Sequence, residues 1–465
     1  MRKIISSIEV LSPTEIQMIH DSSIQILETI GIHVPCKEVL DLCSELGGNV
    51  DYEKEILRIP ENAMVTVLDT IKKRNQQSFE TESLKNDIQA HISTQVFYTD
   101  YNTKTSRYGI RKDNLKGFAL LEHLENFPYS SPVVVPSDVP DQISDLINYQ
   151  DIYKYSSKPG GTYVLTPLSA KYILELNKLM GKESNYLLET ITPLSFKKDT
   201  LEMALLFAKN GGSLSLGPMG MSAATSPASI AGTLTLENAE IIASMFIAFA
   251  LNGQISNYSA PVHSMDLKTT LCSFGSPNQA LFGIAVGQMS RFYGVTGMSN
   301  AGLTDALMPD FQAGIEKGLT AAFNFLSGTR SMGAQGIVGA DQGISLEQLA
   351  LDNEWINYYN YITKGFEVSE DSIGLDVIRE VGIRGNFLSE EHTLDWMHES
   401  YFQPGLFLRD NWTNWTGGSQ KELLERAHDL VETATDGYLN REPVISESIC
   451  EEIDRIIADA REEIL

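Results

Sequence analysis

Between Gly211 and Glu354, short runs of small and β-prone residues alternate with helical stretches at least four times, and glycine or a polar residue stands at each strand end. Such alternation predicts parallel strands joined by crossover helices. The candidate strands are VVVPSDV (133–139), GTYVL (161–165), TITPLSF (190–196), GSLSLG (212–217), ISNYSAP (255–261), GMSNAG (297–302) and TRSMGA (329–334). Helical patterns lie near 140–155, 168–180, 198–209, 227–251, 276–292, 311–326 and 345–363. Seven strand–helix units in series predict an α/β fold, a (β/α)8 TIM barrel. An open doubly wound sheet is the second reading. An eighth strand is not obvious; a hairpin-like stretch at 96–109 and the segment 366–390 are its candidate places.

The flanks are helical. Ser12, Pro13 and Glu15 spell an N-cap, a first-turn proline and a capping box. Ile16, Ile19, Ile26, Leu27 and Ile30 then form one stripe, and Gly31 suits the left-handed stop. Residues 36–46 and 61–74 read as helices and 56–60 as a short strand. Residues 1–90 are therefore an N-terminal α-rich region and 91–408 the barrel core. From 409 on, a loop (409–418) and helices at 420–434 and 446–465 pack on the barrel. Ile449, Ile453, Ile456, Ile457 and Ala460 line one face of the last helix.

Charge narrows the function classes. The chain of 465 residues carries a net charge of −26. A surface so acidic repels nucleic acid and anionic lipid. The longest apolar run, Ile241 to Leu251, is short for a bilayer, and the first residues lack the apolar region of a signal peptide, so a cytoplasmic protein is expected. Cys36, Cys43, Cys272 and Cys450 form no C-x-x-C pair and have no histidines at zinc spacing, so no metal is expected. Phosphate-binding glycine motifs and H-E-x-x-H are absent from the sequence. Gly297-Met-Ser-Asn-Ala-Gly302 has the wrong spacing for a nucleophile elbow.

Four stretches, GPMGMSAATSPASIAGTLTLENAEII, FGSPNQALFGIAVGQMSRFYG, TDALMPDFQAGIEKG and SLEQLALDNE, together resemble the trimethylamine methyltransferase family. So do the opening LSPTEIQMIHDSSIQILETIGIHV, VVVPSDVP with the following SSKP, and EEHT near 390–393. The resemblance implies a TIM barrel that passes a methyl group from a methylated amine to the cobalt of a separate corrinoid protein. Founding members of that family carry pyrrolysine in the barrel mouth. This sequence has only standard residues, and the missing residue's place is expected within 329–343. The resemblance thus implies a member of the non-pyrrolysine branch acting on a quaternary amine. Glycine betaine is the first expectation, with proline betaine, carnitine or γ-butyrobetaine as alternatives. A non-catalytic betaine-binding barrel is the rival from another class. The partners implied are a cognate corrinoid protein carrying cob(I)alamin and a small quaternary amine, with no nucleic acid and no membrane. A homo-oligomer is expected.

That chemistry asks little of side chains. Attack by Co(I) on a methyl of a quaternary ammonium group releases a neutral tertiary amine, so neither a general acid nor an activated side-chain nucleophile is required. The protein supplies position and field. A quaternary cation is held by aromatic faces and carboxylates, and a betaine carboxylate by Arg or amide donors. Arg330 is the candidate for the substrate carboxylate, against an ion pair with Asp305 or Glu316. Tyr98, Tyr163 and Tyr258 are candidate ring faces, against core packing. His263 follows the fifth strand and Asp305 the sixth; both are candidate substrate contacts, against a satisfied loop histidine and a helix cap. Gly220, Gln335 and Gln342 are candidate corrinoid contacts. Trp412 and Trp415 line the mouth if the C-terminal loop folds over it, and otherwise anchor that loop.

Overall fold

The computed structural model describes residues 8–83, 88–251, 255, 257–329 and 331–465. At the N-terminus, Ser12 caps α1 (Pro13–Thr29), and the box with Glu15 is formed. Gly31 ends the helix at φ +86°, where a Cβ would sit 2.6 Å from the Leu57 carbonyl oxygen. Three short antiparallel strands follow: β1 (Ile32–His33), β2 (Asn49–Asp51) and β3 (Ile56–Arg58), with α2 (Lys37–Glu45) between the first two. Then comes α3 (Glu61–Ser83). Leu27, Val39, Leu57 and Met64 share one core with the central helices.

β4 (Gln89–Ala90) leads to a hairpin of β5 (Phe97–Asp100) and β6 (Thr105–Tyr108). The helices α4 (Arg111–Leu121), α5 (Ser144–Tyr155) and α6 (Pro167–Leu179) precede β7 (Asn185–Leu188). α7 (Lys198–Lys209) connects β7 to β8 (Ser213–Leu216). After the two-residue β9 (Met221–Ser222), α8 (Ile230–Leu251) leads to β10 (Asn257–Ala260). Beyond it β11 (His263–Met265) and β12 (Cys272–Ser273) form a rim hairpin, and α9 (Pro277–Tyr293) leads to β13 (Thr296–Ser299). α10 (Phe311–Leu326) leads to β14 (Ser331–Met332), whose loop carries β15 (Ile337–Val338) and β16 (Gly343–Ile344) before α11 (Leu346–Lys364).

Six strands lie parallel in the order β7–β8–β10–β13–β14–β4, with β8 meeting the β10 segment at Leu214 and Ile255. Beyond β4, Ala90 N–H donates to Asn126 O, and parallel bridges join Gln95 to Val134 and Ser130 to Gly160. Among the described residues no pairing joins 160–165 to β7. The fold is a mixed α/β sheet with crossover helices, about half helical, and a closed barrel is not seen among the described residues.

Several expected elements move. The third strand is 185–188, not 190–196: the buried Glu240 carboxylate binds the Thr190 and Thr192 hydroxyls and the Leu194 N–H, which takes that stretch out of the ladder. At 133–139 only the isolated bridge at Val134 forms, and at 161–165 none does, the nearest being at Gly160. There Asn114 closes both backbone bonds of Val134, while Asp145 and Tyr149 bind Leu165 N–H and Thr162 O. The strand beside β14 is β4, which the sequence pattern does not single out. Residues 366–390 hold the short helices α12 (Glu370–Ile373) and α13 (Leu375–Val381) instead of a strand, and α14 (Glu391–Ser400) follows. Within the expected loop 409–418 lies α15 (Trp412–Gly417). α16 (Leu423–Ala434) and α17 (Glu447–Ile464) dock as expected, with Ile453, Ile456, Ile457 and Ala460 buried. α8 is long and apolar enough to cross a membrane, but 72% of its most apolar window is buried inside the protein, which makes it a core helix.

Candidate functional site

Strand alternation divides the side chains. Leu214, Leu216, Tyr186 and Leu188 are buried against the helices. On the opposite face, beside the exposed Leu187, Asn185 donates to Ser213 Oγ at 2.9 Å and accepts from Ser215 Oγ at 3.0 Å. The same parity groups Met298, Asn300 and Gly333. A Cβ on Gly333 would meet Asn300 Oδ1 at 3.3 Å and Met298 Cε at 3.5 Å. His91 leaves β4 beside them; its N–H donates to Met332 O at 2.9 Å, and its ring stacks on Tyr129 at 5.5 Å. Burial lowers the His91 imidazole below its ordinary pKa, which keeps it neutral near pH 7.

The loop after β14 is the most strained segment. Ala334, Gly336, Gly339, Ala340 and Asp341 all have φ between +53° and +82°. Left-handed alanine and aspartate each cost about 1–2 kcal/mol, so the surroundings must impose the shape. Gln335 N–H donates to His91 O (2.8 Å), Gly339 N–H to Ala306 O (2.7 Å) and Ala340 N–H to Thr304 O (3.3 Å). Gly336 N–H donates to Asp352 Oδ2 (2.7 Å) on α11. Asp352 also pairs with Lys317 Nζ at 2.9 Å, with both side chains fully buried. The strain presents Asp341, which accepts from Gln95 Nε2 at 3.0 Å. Asp341 keeps an exposed surface although protein encloses it on most sides, and that enclosure raises its carboxyl above the usual range. Glu189, at the end of β7, shows the same combination, partly offset by Lys197. Exposure together with desolvation is what a side chain on a concave wall experiences.

The rim around these groups is apolar. Leu165, Ile191, Met219, Leu267, Leu307 and Val96 stand at or beyond the ends of six of the strands and strand-like segments, and each is between 39% and 79% exposed. The glycine-rich loop after β14 adds no large apolar residue to this ring.

The expected site residues scatter. Arg330 lies outside the described residues. Tyr258 points outward: it is buried, stacks on Tyr293 at 5.6 Å and donates to Asn238 Oδ1. The Tyr98 ring is buried and carries the Arg107 guanidinium at 4.7 Å, a position a substrate cation would need. Tyr163 donates to Ser144 Oγ and accepts from Asn148, both at 3.1 Å. Asp305 does not cap α10, which Asp310 does; it ties the rim hairpin by accepting from Ser273 Oγ and Phe274 N–H at 2.7 Å. His263 is buried against Phe274 and its ring meets Pro261 O at 3.3 Å. A Cβ on Gly220 would lie 2.7 Å from Glu237 Oε2, and Gly220 N–H donates to that oxygen. Burial and the nearby Glu240 push the Glu237 carboxyl well above the usual range. Gln335 is buried, donating to Ala301 O and Gly333 O, with Oε1 unpartnered. Gln342 is exposed on the strained loop. Trp412 and Trp415 pack on each other at 5.0 Å, and Trp412 is 75% exposed. Sequence reasoning passed over His91, Gln95, Glu189, Asn300 and Asp341. Only Asp341 had a signal, its place inside the glycine-rich GAQGIVGADQG.

A model of the trimethylamine methyltransferase (MTTB) family matches residues 1–464. The chain belongs to the trimethylamine methyltransferase family. It is a methyltransferase. The glycine betaine methyltransferase of Desulfitobacterium hafniense (strain Y51) is 26% identical over 490 residues, covering 100% of this chain and 99% of that protein. Trimethylamine methyltransferase MttB of D. hafniense (strain DSM 10664 / DCB-2) is 25% identical, covering 97% and 94%. MttB of Methanosarcina barkeri (strain Fusaro / DSM 804) is 26% identical, covering 90% and 88%. Of solved structures, the M. barkeri monomethylamine methyltransferase MtmB superimposes with a TM-score of 0.47 at 10% identity, covering 97% of this chain and 92% of that one.

Proposed function

We propose that this family member moves a methyl group from a quaternary amine of the glycine betaine type to the Co(I) of a corrinoid held by a separate protein. The observation that carries this reading is the end-to-end match to a glycine betaine methyltransferase, in a chain built only from standard residues. The sheet would close as a (β/α)8 barrel, with the substrate at its C-terminal edge.

The chemistry of the wall supports the reading. The departing amine is neutral, so the site needs no proton donor, and the neutral His91 beside Tyr129 offers none that is charged. A permanent cation gains from carboxylates that are enclosed but reachable, which describes Asp341 and Glu189. Bond formation is carbon to cobalt, bond breaking is carbon to nitrogen, and the electron pair of the broken bond stays on the amine. The side chains hold the methyl carbon in line and limit water. Arg330 is our candidate for the betaine carboxylate. The apolar rim fits a macromolecular acceptor, because a site serving small molecules alone gains nothing from exposed Leu267 and Leu307.

Asp341→Asn is expected to raise the betaine KM about tenfold, equivalent to ~1.4 kcal/mol, with a smaller effect on kcat. The wild-type KM should also rise as pH falls through the raised Asp341 titration, because protonation removes the charge that attracts the cation. The Asn variant should lose that pH dependence. Initial-rate kinetics with a cob(I)alamin acceptor measures both. An unchanged KM would remove Asp341 from the site.

A further inference from the structure

The segment between α11 and α16 projects from the body as an arm. No residue from 364 to 405 is buried. Yet the arm is locally built: Ser369 caps α12, Gly374 takes the left-handed turn into α13, and His392 Nε2 meets Asp371 O at 3.0 Å. It is fastened near its base, where Gly405 N–H and Phe407 N–H donate to Glu354 and Phe402 packs on Tyr358. Eleven large apolar side chains between 364 and 405 are exposed, among them Val368 (66%), Ile383 (97%), Leu388 (84%) and Leu394 (65%). At ~80 Å2 each they offer on the order of 900 Å2, about one side of a standard protein interface. Helices of 4, 7 and 10 residues do not hold their shape in water without a packed face.

A second exposed apolar stripe lies on α10. Phe311 (86%), Ile315 (51%) and Leu319 (45%) recur every four residues along its outer face. α10 begins at the rim of the candidate site, directly after the loop that carries Leu307.

We propose that the arm of one chain docks on the α10 stripe of a second copy, and that the second chain's arm returns the contact across a two-fold axis. A partner that leaves at each turnover would uncover this much apolar surface repeatedly, whereas a permanent copy keeps it covered. The pairing brings one protomer's arm to the edge of its partner's site. Two chains of net charge −26 repel at long range, so apolar contact drives the association and added salt strengthens it.

The test is the mass of the full chain by sedimentation and light scattering at micromolar concentration. The wild type is expected at an even multiple of the 51.5 kDa chain mass, more firmly so in high salt. Ile378→Glu with Leu394→Glu on the arm, and separately Ile315→Glu with Leu319→Glu on the stripe, are each expected to give monomers. Their circular dichroism should remain that of the wild type. As a second readout, Leu394→Cys mixed with Leu319→Cys is expected to cross-link between chains. A monomeric wild type, assembly that survives both double variants, or cross-linking only between two arms that both carry Leu394→Cys would overturn the proposal.

Discussion

Asp352→Ala is expected to destabilise the protein by about 3–5 kcal/mol, the usual consequence of leaving a buried charge unpaired. Lys317 Nζ is fully buried and has two partners, Asp352 Oδ2 at 2.9 Å and Gly302 O at 3.1 Å. Burial already lowers its ammonium below the ordinary lysine value of 10.5, against the pull of Asp352. Without Asp352 the folded state favours neutral lysine still more. The unfolded chain then binds the extra proton at every pH between the lowered value and 10.5, so stability rises with pH across that window. The deficit of the Ala variant should therefore shrink as pH is raised, which urea unfolding at several pH values measures. Pairing Asp352→Leu with Lys317→Met should recover much of the stability, because it removes both charges. It should not recover activity. Asp352 also accepts from Gly336 N–H, Gln348 Nε2 and Trp355 Nε1, and the first of these bonds helps to hold the strained loop that presents Asp341. A folded but inactive double variant is the result that assigns Asp352 to positioning. A fully active one would detach the loop from the chemistry.

Leu267→Asp combined with Leu307→Asp is expected to slow methyl transfer to a corrinoid protein on the order of 100-fold, since exposed apolar anchors at an interface are worth ~1–2 kcal/mol each. Both side chains are more than 70% exposed and stand on neighbouring loops after β10 and β13. Their replacement leaves the core intact, so the rate with free cob(I)alamin should stay at the wild-type level. That contrast separates a docking surface from a substrate wall. Equal loss with both acceptors would place the two leucines in the pocket.

The parts of the fold legible in the sequence were those held by local rules. The Ser12–Glu15 box and the α17 stripe need only cap chemistry and 3.6-residue periodicity, and both form as read. The displaced strands failed for a different reason. At 133–139, 161–165 and 190–196 the backbone bonds go to the side chains of Asn114, Asp145, Tyr149 and Glu240, which lie 13 to 50 residues away in the chain. β-propensity carries no trace of such partners. The site was harder still. Period-two alternation separates the two faces of β10, but it does not say which face meets the helices. For Tyr258 the sequence therefore leaves a cation-facing ring and core packing both open, and in the structure its ring packs on Tyr293. Asp341 and Glu189 are ordinary acidic residues in sequence. Only the left-handed run 334–341 and the end of β7 place them where they are exposed and yet partly desolvated.

The most direct measurement mixes the purified chain with cob(I)alamin and, in turn, glycine betaine, proline betaine, carnitine, γ-butyrobetaine and trimethylamine. Methylcobalamin and the demethylated amine are then quantified together. One methylcobalamin is expected per amine released, with a quaternary amine the strongest donor and glycine betaine first among them. Methylation only from trimethylamine, or none from any betaine, would contradict methyl transfer from a quaternary amine.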